Sequence, residues 1–116
     1  MTNYTNLDYL IDFTDNDPDL IKQGISTYMS RSPELLDKLV TSVKTQDWKG
    51  IHDSAHSLYT STQIVGLSCL AKPIKEVESQ AREEKGMPEV SEKVDYINKI
   101  MLQSYEELAE SLKRYE

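Results

Sequence analysis

Apolar residues recur at helical spacing along almost the whole chain. Asn6 stands before Leu7, Leu10 and Ile11, a short amphipathic turn with a capping residue ahead of it. Asp17-Pro18 pairs a cap with proline at the first helical position, where no intrahelical bond is lost. Leu20, Ile21, Gly24, Ile25, Tyr28 and Met29 then share one face. Ser32-Pro33-Glu34 repeats the same device and predicts a fresh helix start, followed by Leu35, Leu36, Leu39, Val40 and Val43.

Asp47 caps the next segment, whose stripe is Trp48, Ile51, Ala55, Leu58, Thr62 and Val65, closed by Gly66. Leu70, Ile74, Val77 and Ala81 form a further stripe. Pro73 within it costs about 3 kcal/mol or more in a helix interior, so that helix is expected to begin near 68–72 or to kink there. Residues 83–88 read as a turn, and Val90, Val94, Ile97, Met101, Tyr105, Leu108 and Leu112 make a long last helix. Neither strand alternation nor a hairpin signal such as Asn-Gly interrupts the pattern. The expected fold is all-α: an antiparallel up-down four-helix bundle over residues 1–116, one domain, with one or two short additional helices at the N-terminus.

Composition narrows the function more than the fold. The net charge of −7 disfavours nucleic acid and anionic membranes as partners. Cys69 is the only cysteine, which rules out an internal disulfide and a cysteine-based zinc site. A reducing, cytoplasmic setting is the expectation. The start, MTNYTNLDYLIDF, lacks the basic and apolar regions of a signal peptide, and no apolar run approaches the length of a membrane span.

Both histidines lie in IHDSAHSLYTSTQIVG, four residues apart. With Ile51 at zero and about 100° per residue, the apolar stripe centres near 10–15°. His56 falls about 125° from that centre, in the middle of the polar flank. On the same wheel Tyr59 lies near 80°, His52 near 100°, Gln63 near 120°, Lys49 near 160° and Thr60 near 180°. His56 is therefore the more solvent-directed of the two histidines.

A histidine there is most simply a surface residue, and three chemical readings compete with that. HDSAH has the i, i+4 spacing of a zinc hydrolase's HExxH, but Asp53 is a carbon shorter than glutamate and no third histidine exists; no metal site is expected. Acid–base catalysis lacks a partner, because Asp53 lies around the helix and no nucleophile elbow or phosphate loop accompanies it. The third reading is nucleophilic use of an exposed imidazole.

Ala55-His56-Ser57-Leu58, the Ser61-Thr62 pair and Gly66 are similar, in order and spacing, to the AHxLKGxSxxxG signature of histidine-containing phosphotransfer (HPt) domains. The resemblance extends along most of the chain, through the DPDLI and SPELL helix starts, the DWKGIHDSAH approach to the histidine, and GLSCLAKPIKEVE after it. It implies that His56 is phosphorylated by the aspartyl phosphate of a response-regulator receiver domain and passes the group to another. The protein would then be a phosphoryl carrier in two-component signalling, not a turnover enzyme. Its partners would be receiver domains or a hybrid sensor histidine kinase, it would be monomeric, and it would hold no cofactor, Mg²⁺ residing on the receiver.

Two positions depart from the signature. Tyr59 stands where the family carries lysine, and Thr60 where it carries glycine. The lysine would add positive charge beside the phosphate; Lys49, Lys72 and Lys75 are candidates to replace it. Thr60 puts a β-branched side chain on the docking flank. Gln63, about two turns beyond His56 on almost the same line, is expected to touch the phosphoryl group or the receiver. His52 is expected at the edge of that surface, and Glu78 is expected to hydrogen-bond the imidazole if its helix packs alongside. The alternative is an HPt-like bundle that binds a receiver or kinase without efficient transfer.

Overall fold

The computed structural model describes residues 3–115. Helix α1 spans Asp8–Phe13, α2 Pro18–Lys44, α3 Trp48–Ile64, α4 Ala71–Glu83 and α5 Met87–Lys113, with a single 3₁₀ turn at Ser68–Leu70 before α4. The four main helices form a ring in which α2 packs on α3, α3 on α4, α4 on α5 and α5 back on α2. Short turns join them in sequence, so neighbours run antiparallel. The two 27-residue helices, about 40 Å long at 1.5 Å per residue, set the 44 Å long dimension of the molecule. The expected all-α bundle with a short N-terminal helix is what the chain forms. Among the described residues no helix is long and apolar enough to cross a membrane.

One boundary differs from the sequence expectation. Ser32-Pro33-Glu34 does not begin a new helix; α2 runs through it, with Pro33 inside. The reason lies in the buried face. Ile21, Ile25, Tyr28, Ser32, Leu36 and Leu39 are buried at steps of four, three, four, four and three, one stripe unbroken across the proline. Continuing that stripe buries Leu36 and Leu39, each worth about 1.5–3 kcal/mol, which together outweigh the proline's cost of about 3 kcal/mol. Pro33 itself is exposed, so its ring meets solvent and not α5.

Polar groups in the same stripe are paired across to α5. Ser32 Oγ donates to the Tyr28 carbonyl at 2.6 Å and accepts from Tyr105 Oη at 2.8 Å. Tyr28 Oη donates to Ser104 Oγ at 2.8 Å, since that hydroxyl gives its own proton to the Met101 carbonyl at 2.6 Å. Burial pushes the Tyr28 phenol far above its ordinary pKa, against the opposing effect of the Ser104 hydrogen bond, so it remains a donor.

Pro73 behaves as expected. α4 begins at Ala71, which puts the proline in the first turn, where an N–H has no intrahelical acceptor. At the other end of the α3–α4 connection, Gly66 adopts φ +74°, a left-handed value that ends α3.

Candidate functional site

Rotation of α3 is set by its buried side. Ile51, Ala55 and Leu58 are fully buried against α2 and α4, which turns the opposite flank outward. His56 lies on that flank with 71 % of its side chain exposed. Exposure alone would leave the ring free to rotate. α4 prevents this, because its stripe of Ile74, Val77 and Ala81 docks on the core and carries Glu78 in alongside α3.

Glu78 Oε1 lies 2.9 Å from His56 Nδ1. A carboxylate only accepts, so Nδ1 carries the proton of the neutral ring, and Nε2 is left with its lone pair on the exposed side. Arg82 Nη2, one turn further along α4, reaches the same oxygen at 3.5 Å, and His52 Nε2 stands 3.8 Å away. The other oxygen, Oε2, is buried with no hydrogen-bond partner. Burial pushes the Glu78 carboxyl up, but the His56 hydrogen bond and the charges of His56, Lys75 and His52 outweigh it and hold the pKa below the usual glutamate value. The group is an anion beside the imidazole.

His52 has a different environment. Its ring lies parallel to that of His56, with centroids 6.2 Å apart and planes within 8°. It is half as exposed, and its Nδ1 pairs with Asp53 Oδ1 at 3.2 Å. The hydrogen bond from His52, together with the charges of Lys49, His52 and Lys38, lowers the Asp53 carboxyl against an opposing effect of desolvation. Lys49 thus sits on the His52–Asp53 side of the surface. Among the described residues no group of three or more histidine, cysteine or acidic side chains is arranged to hold a metal ion.

The two positions that depart from the HPt signature have separate fates. Tyr59 is half-buried, and Lys75 from α4 extends its ammonium over the ring, 4.2 Å from the centroid. A positive charge therefore stands above the residue that replaces the family's lysine. Thr60 lines a groove of about 1030 Å³ shared with His56, Ser61 and Ile64 of α3. Tyr9 and Phe13 of α1 and Leu20 and Leu35 of α2 also line it, with Arg31, Glu34 and Lys38 as its charged members. Gln63 is not part of that lining. Its amide donates to the Leu67 carbonyl at 3.3 Å and so ties down the end of α3.

Of two further features of this surface, one is conditional in the sequence and the other has almost no signal there. The hydrogen bond between Glu78 and His56 was expected only on condition that α4 packs beside α3, which it does. The contribution of α1 to the groove was not foreseen, because Tyr9 and Phe13 fall outside the apolar stripe that predicts the helix. Their only sequence signal is an i, i+4 aromatic pair, stacked with centroids 6.0 Å apart.

A family model, that of the Hpt domain, matches residues 23–114. Its span begins inside α2 and leaves α1 and the residues before it outside. Comparison with curated proteins gives no match, and comparison with solved structures gives none either. Since the match takes in all of α3, α4 and α5 and most of α2, the chain belongs to the Hpt domain family, whose members carry phosphoryl groups on a histidine in phosphorelays.

Proposed function

We propose that this protein is a phosphorelay intermediate that accepts a phosphoryl group on His56 Nε2 from a receiver-domain aspartyl phosphate and gives it to another receiver. The observation that carries this reading is the 2.9 Å contact between His56 Nδ1 and the buried Glu78, on a ring that is otherwise 71 % exposed. One nitrogen is held and the other offered.

In the forward step the Nε2 lone pair attacks phosphorus while the phosphorus–oxygen bond to the receiver's aspartate breaks, returning that aspartate as a carboxylate. The ring keeps its Nδ1 proton, and positive charge develops on it as the nitrogen–phosphorus bond forms. Glu78 is already in place to offset that charge, with no reorganisation during the reaction. In the return step an aspartate carboxylate of the second receiver attacks phosphorus, and the bonding pair goes back to Nε2. A loose phosphoryl-transfer transition state asks mainly for alignment and charge balance, which one oriented imidazole supplies. Magnesium, in this reading, belongs to the receiver and would neutralise phosphoryl oxygens there.

Lys75 takes the electrostatic part that the family assigns to lysine at position 59. Tyr59 supports its ammonium from below, and its charge already reaches Glu78. The same reading makes the protein a monomeric cytoplasmic carrier, in keeping with its single cysteine and acidic composition.

The test is transfer from a set of phosphorylated receivers, with the product identified as acid-labile, alkali-stable phosphate. Wild type and His52→Gln are expected to take up label, and His56→Gln to take up none. Label on His52 would overturn the assignment to His56, and receivers that bind tightly without transferring would favour a docking module without relay activity.

A further inference from the structure

The part of the groove outside the Hpt match is built on an unusual foundation. α1 has six residues, far below the roughly 12–15 at which an isolated helix begins to hold. Only Leu10 of α1 is buried. It packs over Gly24 of α2, where any Cβ would come within 2.8 Å of Leu10 Cδ1. Tyr9 and Phe13, the residues that face the groove, are 57 % and 76 % exposed. The position of α1 therefore depends on how the chain is tied on either side of it.

After α1 the tie is a tight turn. Asp15 and Asn16 both take left-handed backbone angles, φ 53° and 60°, and Asn16 N donates to the Ile11 carbonyl at 2.8 Å. Before α1 the tie is a carboxylate from the far end of the chain. Glu107 of α5 accepts from Tyr4 N at 3.0 and 3.1 Å, from Thr5 N at 2.9 Å and from Thr5 Oγ1 at 2.7 Å. Asn6 N then donates to the Val65 carbonyl at 2.9 Å, at the end of the histidine helix. The segment crosses Gly66 so closely that a Cβ there would overlap the Asn6 backbone. Burial raises the Glu107 carboxyl, but the bonds from Thr5, Tyr4 and Gln103 more than compensate, which keeps it ionised and a strong acceptor.

We propose that Glu107 is a positioning residue: by clamping residues 4 and 5 it holds α1 in place as a wall of the His56 groove and so sets how tightly a phosphorylated receiver docks. The inference rests on the carrier reading, since the groove is continuous with His56 and a receiver domain that delivers a phosphoryl group to that ring must cover it. Glu107 touches neither the ring nor Glu78, so its removal acts on docking and not on the chemistry. If release of the clamp leaves α1 correctly placed in about one molecule in ten, the apparent affinity for a receiver falls about tenfold.

The experiment compares wild type with Glu107→Ala in three measurements. Transfer from a phosphorylated receiver should show a half-saturating receiver concentration raised about tenfold, with the rate at saturation within about twofold of wild type. Labelling of His56 by phosphoramidate, a small donor that needs no groove, should be unchanged. Amide exchange should accelerate in residues 4–13 and stay slow in α3. Phe13→Ala serves as a second variant that leaves the clamp and the core intact, and it should raise the half-saturating concentration without faster exchange. An unchanged half-saturating concentration in a Glu107→Ala protein with mobile α1 overturns the proposal, as does exchange at α1 that does not change. If wild type itself takes label from phosphoramidate but from no receiver, the carrier reading fails, and the docking role fails with it.

Discussion

At the scale of single residues, the site is a division of labour over one carboxylate oxygen. Glu78 Oε1 meets His56, Arg82 and, at longer range, His52, while Oε2 is buried without a partner. Substituting Glu78→Gln keeps the shape and an acceptor for Nδ1 but removes the charge. A hydrogen bond to a charged group is worth about 1 kcal/mol more than one between neutral groups, and the exposure of His56 screens part of that difference. Transfer from a saturating receiver is expected to slow by about three- to tenfold, with a thermal midpoint close to that of wild type. A variant that transfers at the wild-type rate would mean that Glu78 only steers the ring and does not stabilise the charge on it. The residue scale also marks how far the sequence could be read. The helical wheel separates His56 from His52 because the stripe Ile51, Ala55, Leu58 fixes rotation within α3. Glu78 can be named for the ring only on the condition that its helix packs alongside, since its reach depends on the register of α4 against α3. The fate of Tyr59 is of the same kind: Lys75 arrives from a neighbouring helix, and no spacing within α3 foretells it.

At the scale of elements, helix ends were legible where the cap and the apolar face agreed and illegible where they conflicted. Asp17-Pro18 and Asp47 begin α2 and α3 as expected, and their carboxylates accept from Asp19 N and Gly50 N respectively. Ser32-Pro33-Glu34 carries an equally good start signal, but there the buried stripe runs on and the local signal loses. Pro33 leaves the Met29 carbonyl without its usual i+4 donor in the middle of α2. Pro33→Ala should restore that bond at an exposed position and touch neither the Ser32–Tyr105 pair nor the core. The gain is expected at about 1–3 kcal/mol, which for a chain of this size raises the thermal midpoint by at least about 4 °C. A midpoint that stays level or falls would show that α2 needs the proline's local geometry to bring Ser32 to Tyr105. Denaturant unfolding of the two proteins, with equal slopes, is the cleaner form of the comparison.

At the scale of the whole molecule, charge is distributed against its own sum. The chain carries 20 acidic and 13 basic side chains, and a net −7 repels a phosphorylated partner at long range. Close to the histidines the balance is different: Lys49 and Lys38 act on Asp53, Lys75 acts on Glu78 and stands over Tyr59, and Arg82 reaches Glu78. In the carrier reading a phosphoryl group would leave a repulsive general field and meet four cationic side chains set around the two carboxylates Asp53 and Glu78. Lys75 is the member of this set whose place is fixed by a ring beneath it, so its loss should be felt most. Lys75→Gln is expected to lower the second-order rate of transfer to His56 by about three- to tenfold at low salt, the scale of one charge near a screened surface. Because exposed charges are screened within about 8 Å at physiological ionic strength and about 3 Å at 1 M, the gap between variant and wild type should narrow as salt is added. Labelling by phosphoramidate in the same series separates an effect on the ring from an effect on encounter. A gap that persists undiminished at 1 M salt would assign Lys75 a direct contact with the phosphoryl group, and no gap at any salt would leave the family's missing lysine without a substitute in this chain.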